Sequence, residues 1–176
     1  MEKFYRTLHP RPVVLIGSGS VKAGEINFMA CSWITPIAED VPSVGFACDK
    51  EHYTRELINK YKQFSVNITE AIDLIWKVGT VSGRELNKVE AFDIKIEVGK
   101  ALDVPLIPQA LANLECKVIE EVEVGEVCFY LGEVKNWRAH DFDEYGYKEF
   151  WRVPLHKGGK AFVFPAKKLY FPAKPK

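Results

Sequence analysis

Apolar and polar positions fall along this chain in short runs of β-type residues, interrupted twice by helical spacing. Val13 to Ile16 is a largely β-branched run behind Pro10 and Pro12, and it reads as a strand stopped by a turn at Gly17-Ser18-Gly19-Ser20. Asn27 to Ile34 resumes an extended pattern ended by Pro36, and Val44 to Cys48 is a third strand after Asp40-Val41-Pro42. The period then changes. Leu57, Ile58 and Tyr61 share one helical face, with Thr54 placed to cap the first turn through its hydroxyl. Phe64 to Ile68 alternates again, as a strand with one buried face does, and Ile72, Ile75 and Trp76 return to helical spacing closed by Gly79. From Ser82 to Pro108 the pattern weakens into charges and prolines, which predicts a surface loop with short helical pieces. Leu114 to Arg138 is a hairpin turning at Gly125-Glu126, Asp141 to Gly146 is a polar turn, and the tail from Lys157 holds Gly158-Gly159 and three prolines.

Six or so closely spaced strands with two or three short helices predict a mainly β fold with α+β additions: an antiparallel barrel with helices outside, not an alternating βαβ sheet. A length of 176 residues suits a single domain over 1–176, in which 163–176 forms a C-terminal extension. The 24 basic side chains are offset by 24 acidic ones, so no global field favours nucleic acid or an anionic membrane, and small-molecule partners are expected. Met1 to His9 has no signal-like apolar stretch and no later run approaches the roughly 20 apolar residues of a membrane span, which predicts a soluble, cytoplasmic protein.

Several chemistries lack a sequence anchor. Cys31, Cys48, Cys116 and Cys128 never form a C-x-x-C pair and are expected as reduced, mostly buried thiols. His9, His52, His140 and His156 show no ligand spacing, so no dedicated metal site is expected. No serine sits in G-x-S-x-G, and Gly17 to Gly24 matches neither phosphate-loop pattern, which leaves it as a plain hairpin turn.

Two segments carry more. Asn27-Phe28-Met29-Ala30-Cys31-Ser32-Trp33, followed after prolines by Lys50-Glu51-His52-Tyr53-Thr54-Arg55-Glu56-Leu57-Ile58, resembles the flavin reductase-like family of FMN-binding split barrels. That family includes flavoredoxins, archaeal ferric reductases and the reductase components of two-component monooxygenases. Its pattern is N-x-M-[TA]-x-S-W, a proline-containing connection, and an H-Y-T-type turn into a helix. Gln63 to Ile68, Ser82-Gly83-Arg84 with Lys88, Cys116, and Pro154-Leu155-His156 with Gly158-Gly159 are further, individually weaker matches, so the resemblance runs from about Arg11 to Phe162. Ala30 stands where many relatives have threonine, and Cys31 is an uncommon neighbour.

The resemblance implies a Greek-key split β-barrel with FMN as cofactor. Asn27 and Ser32 would hydrogen-bond the flavin, with Met29, Ala30, Cys31 and Trp33 as contact surface. Thr54 at a helix start, with Lys50, His52, Tyr53 and Arg55 nearby, would hold the phosphate. Ser82, Gly83 and Lys88 would approach the ring or ribityl chain from a loop, and His156 would lie beside NADH or NADPH. Taken alone, Trp33 reads as core, Thr54 as an N-cap, the 82–88 charges as solvated loop and His156 as structural. The implied activity is hydride transfer from nicotinamide C4 to flavin N5, with no catalytic side-chain acid or base, and onward to a flavin, Fe(III) or protein acceptor. A homodimer and a redox partner protein are expected with it. The alternatives are a flavoredoxin-like FMN electron carrier without its own NAD(P)H site, and a barrel that has lost its cofactor.

Overall fold

The computed structural model describes residues 3–170. In chain order the strands are β1 (Arg11–Pro12), β2 (Val14–Ser20), β3 (Glu25–Cys31), β4 (Ile34–Ala38), β5 (Ser43–Asp49), β6 (Gln63–Ile68), β7 (Glu97–Val98), β8 (Pro105–Leu106), β9 (Ala112–Val124), β10 (Val127–Ala139), β11 (Phe142–Asp143), β12 (Gly146–Tyr147), β13 (Leu155–Gly158) and β14 (Ala161–Val163). Three α-helices interrupt them: α1 (Tyr53–Tyr61), α2 (Ile72–Thr80) and α3 (Lys88–Ala91). Seven strands form one antiparallel sheet in the order β3-β2-β6-β9-β10-β5-β4.

That order forces the sheet to close. Strands β3 and β4 lie at its opposite edges, yet only Ser32 and Trp33 separate them in sequence. Two residues cannot span the width of a seven-stranded sheet whose neighbours are about 4.8 Å apart, so the edges must curl together into a barrel. Closure is incomplete: Ala47 N–H donates to Trp33 carbonyl oxygen at 2.9 Å, while β3 keeps an outer edge that other elements cover.

Alternation sorts the core into two layers. Val14 and Ile16 point into the barrel with Phe46, Phe64, Val66 and Tyr130, whereas Val13 and Leu15 point outward to Phe28, Ile75, Val78 and Ile107 beneath α2. Both faces of β2 are therefore covered, and all seven of its residues are buried. This corrects the sequence reading of Gly17-Ser18-Gly19-Ser20 as a turn. The strand continues through it, because a Cβ at Gly17 would lie 2.4 Å from Ser65 Oγ and 2.8 Å from Pro105 oxygen; the glycine answers to crowding across the strand, not to a bend. The turn falls later, closed by Gly24 N–H to Val21 oxygen at 3.1 Å.

Three other expectations change. Pro36 lies inside β4, which a proline tolerates because β4 is an edge strand, and the break in the extended run is at Ser32-Trp33. Helix α2 runs past Gly79 to Thr80. The segment from Ser82 to Pro108 is no plain surface loop: α3 and the β7–β8 pair hold Lys88, Ile94, Val104, Leu106 and Ile107 buried against the barrel. The β9–β10 hairpin turns where expected, with Val124 opposite Val127, and all four thiols are free and buried.

The barrel interior leaves no room at Gly132, beside a register shift in β10, where a Cβ would lie 2.4 Å from Phe64 Cζ and 3.1 Å from Cys116 Cβ. Gly132→Ala is expected to destabilise the fold by about 2 kcal/mol through overpacking, read as a lowered urea midpoint with unchanged slope. An unchanged midpoint would show that Phe64 can give way.

Candidate functional site

The unpaired outer edge of β3 is where the chain builds a cleft. Lys88, on α3, reaches under it: its Nζ donates to Phe28 oxygen on the β3 edge and to Val78 oxygen in α2, both at 2.9 Å. The residue is buried, and that burial pushes its pKa down to about 8. One lysine thus ties β3, α2 and α3 together while bordering the cleft.

Asn27 forms the next part of the wall. Its Nδ2 donates to Thr54 Oγ1 at 2.9 Å, and its Oδ1 is buried with no hydrogen-bond partner. A buried acceptor left unpaired costs roughly 1–3 kcal/mol, so a ligand donor at this oxygen would recover energy that the protein alone forgoes. Thr54 is consequently engaged with Asn27 and caps nothing, which corrects the reading of it as the N-cap. His52 occupies that position, and no side chain caps the helix; Tyr53 and Thr54 at its start border the cleft, while Arg55 N–H donates to His52 oxygen at 3.0 Å.

Residues 82–84 close the far side. A Cβ on Gly83 would fall 2.3 Å from Asn27 Oδ1 and 2.9 Å from Tyr53 Cδ1, so the glycine lets this loop lie directly on the wall. Arg84 fastens it: Nη1 donates to Glu51 oxygen at 2.6 Å, Nη2 pairs with Glu56 at 3.0 Å, and the guanidinium sits 5.8 Å over the Tyr53 ring.

The resulting cleft is about 270 Å³ and brings together Asn27, Met29, Ala30, His52, Tyr53, Thr54, Ser82, Gly83 and Lys88 from the sequence-predicted set. Helix α2 supplies its floor through Val78, Gly79 and Thr80, which sequence reasoning missed. The signal available was Gly79, read only as a helix end; a Cβ there would lie 3.1 Å from Ala30 Cβ, so the glycine permits close approach of α2 to β3.

Other predicted residues lie elsewhere. Lys50 is paired with Glu123 at 2.6 Å and Arg55 with Glu121 and Glu123, so both charges are drawn to the β9 end and away from the cleft. Trp33 lies outside both the core and this cleft: the residue is 41% exposed, borders a separate open hollow, and its ring packs 5.6 Å from Tyr5 and 5.5 Å from the Arg11 guanidinium. Cys31 and Ser32 border a second hollow of about 180 Å³, which shares Ala30 and Gly79 with the first and is walled by Ile75, Trp76, Phe162 and His156.

Hydrogen-bond partners fix the tautomer of His156. Gly159 oxygen can only accept, so Nε2 carries the proton at 3.1 Å, and Nδ1 accepts from Ser32 Oγ at 3.1 Å. His9 behind it is fixed likewise, donating from Nδ1 to Lys157 oxygen and accepting from Arg11 Nη2, each at 2.8 Å. Burial first, and then the neighbouring His9 and Arg11, lower the pKa of His156 and keep it neutral.

Comparison with known proteins agrees with this architecture. Residues 5–152 match the flavin reductase like domain. An uncharacterized protein of Archaeoglobus fulgidus is 35% identical over 129 residues, 72% of this chain and 71% of its own. The ferric-chelate reductase (NAD(P)H) of the same organism is 26% identical over 135 residues, 76% of this chain and 77% of its own. Among solved structures, an FMN-binding protein from Thermus thermophilus, crystallised with 1-cyclohex-2-enone, superposes with a TM-score of 0.88 at 24% identity, covering 98% of this chain and 95% of that one. The fold is therefore that of the FMN-binding split barrels. By its domain match, covering most of its length, the chain belongs to the flavin reductase-like family.

Proposed function

We propose that the cleft binds FMN and that the protein is an oxidoreductase passing a hydride from NADH or NADPH to that flavin, and electrons onward to a flavin, Fe(III) or protein acceptor. The observation that carries this reading is the convergence of β3, the uncapped start of α1 and the 82–88 segment on one cleft, with an unpaired buried acceptor at Asn27 and a buried cation at Lys88. These features suit the flavin's needs. Asn27 Oδ1 accepts from a ring or ribityl donor, Met29 and Ala30 give an apolar bed, and Lys88 with the α1 N–H groups favours the phosphate end. When bound, FMN supplies hydride acceptance and one-electron release; the side chains around it bind, orient and exclude water. The second hollow, with neutral His156 and an apolar wall, is the place for the nicotinamide.

The ferric-chelate reductase of A. fulgidus supports an iron-reducing outcome. We further place the protein in the cytoplasm and propose a homodimer; the exposed Ile119, Val122 and Val124 along β9 support the dimer. Among the described residues no helix is long and apolar enough to cross a membrane. One observation favours the carrier alternative: Lys50 and Arg55 are paired with Glu123 and Glu121, so neither is free to meet a dinucleotide's phosphates.

The visible spectrum of the protein as purified or reconstituted with FMN, followed by anaerobic addition of NADH and NADPH, tests the proposal. Flavin bands bleached by a nucleotide are expected. Bands that persist until a reduced partner protein is added would establish the carrier reading, and a chain that retains no FMN would end both.

A further inference from the structure

The wall of the cleft contains a group of donor atoms, two sulfurs and an imidazole nitrogen, for which the proposed flavin chemistry has no ligating role. Met29 on β3, Cys48 on β5 and His52 at the β5–α1 junction match no ligand-spacing motif, but barrel closure brings β3 and β5 together. Cys48 Sγ lies 3.8 Å from Met29 Sδ and 3.9 Å from His52 Nδ1, and His52 Nδ1 lies 3.2 Å from Met29 Sδ.

This triangle has the dimensions of a three-coordinate metal site. With bond lengths of about 2.0 Å to imidazole nitrogen and about 2.3 Å to sulfur, trigonal planar ligation needs edges of about 3.7 Å (N to S) and about 4.0 Å (S to S). The donor triangle is within about half an ångström of that on every side. Its imidazole nitrogen also faces the two sulfurs and makes no hydrogen bond to a stronger acceptor, since thiol and thioether sulfurs are weak partners.

We propose that Met29, Cys48 and His52 form a binding site for one soft monovalent cation of the Cu(I) class. Softness follows from the donors: a thioether and a thiolate select such ions, and no carboxylate joins them in the triangle. Charge points the same way. Cys48 and Met29 are buried, at 1% and 8% exposure, and one thiolate with one monovalent cation leaves the site neutral, whereas a divalent ion would leave a buried net charge. Binding replaces the Cys48 S–H bond with an S–Cu bond and releases the proton to solvent, with no change of oxidation state. His52, exposed at the cleft rim, gives the ion its entry.

The test is an anaerobic titration of the purified protein with Cu(I), supplied as its acetonitrile complex and competed with bicinchoninate, following the ultraviolet thiolate-to-Cu(I) band. One Cu(I) per chain is expected in the parent and in Cys128→Ser, and none in Cys48→Ser. Met29→Leu and His52→Phe should each bind at least tenfold more weakly with the parent's circular dichroism. Because His52 is exposed, its variant folds whether or not Cys48→Ser does, and decides the matter alone. Parent-like affinity in His52→Phe would remove the imidazole from the site, and loss of the ion in Cys128→Ser would move it elsewhere; either result overturns the proposal.

Discussion

Replacing Lys88 with methionine is expected to weaken FMN binding by tenfold to a hundredfold and to remove about 3 kcal/mol of folding stability. Methionine keeps the unbranched apolar stem, so packing is nearly preserved and the loss isolates the ammonium. Two carbonyls, Phe28 on the β3 edge and Val78 in α2, would lose their donor, each at a cost of roughly 1–3 kcal/mol. A charged hydrogen bond to the phosphate or ring is worth about 1.5–3 kcal/mol, which sets the range for the affinity. The pH dependence separates the two effects. With its pKa pushed down to about 8, Lys88 loses its charge in the folded protein before it does so in the unfolded chain. Above pH 8, then, parent FMN affinity should fall. Between about pH 8 and 10.4 the unfolded chain holds more protons at this position, so parent stability should rise with pH, and the Lys88→Met chain should lack that increment. Fluorescence titration of FMN and urea unfolding at pH 7, 8.5 and 10 measure both. A variant that reproduces the parent's pH profiles would show that Lys88 is not the titrating group.

How far this was legible in the sequence depended on whether a residue's role was set locally or by barrel closure. The hairpin of β9 and β10 and the helical face of Leu57 and Ile58 follow from period and turn chemistry, and both were readable. Gly17 to Ser20 was not. Its composition is that of a turn, and only the distance to Ser65 and Pro105 across the sheet explains the glycine. Lys50 and Arg55 read as phosphate ligands because they flank Thr54 in sequence, yet Glu121 and Glu123, more than 60 residues later, lie opposite and take their charge. The resemblance named Lys88 as a loop contact to the flavin, but the same closure hid its burial and its two carbonyl partners. Charged residues between prolines suggest solvent, and nothing local shows that two orphan carbonyls, on β3 and α2, await a donor. Of the cleft, the motif around Asn27, the His52 to Thr54 turn and Ser82, Gly83 and Lys88 were visible, whereas the floor from α2 was not, since its residues carry no signal beyond helical spacing.

Gly83→Val should abolish FMN binding within the micromolar range, a loss of at least a hundredfold, while changing the melting temperature by only a few degrees. The glycine needs no unusual backbone angle; its role is clearance, because its absent Cβ would sit 2.3 Å from Asn27 Oδ1 and 2.9 Å from Tyr53 Cδ1. Asn27 cannot retreat, being buried and held by Thr54 through Nδ2, and Tyr53 opens α1 beneath Arg84. The loop must therefore lift from the wall or Asn27 must turn. Either movement displaces the one acceptor the cleft leaves unpaired and alters the rim at Ser82. Stability changes little because residues 82–84 add no large side chain to either core layer. Gly125→Ala is the control: its turn meets nothing within 4 Å, so its φ of +57° makes the substitution costly to the hairpin but not to the cleft. Equilibrium dialysis with FMN, alongside calorimetry, distinguishes the two. Should the Gly83→Val chain bind FMN as tightly as the parent, the contact of the 82–84 loop with Asn27 does not shape the flavin's site, and this cleft is not that site.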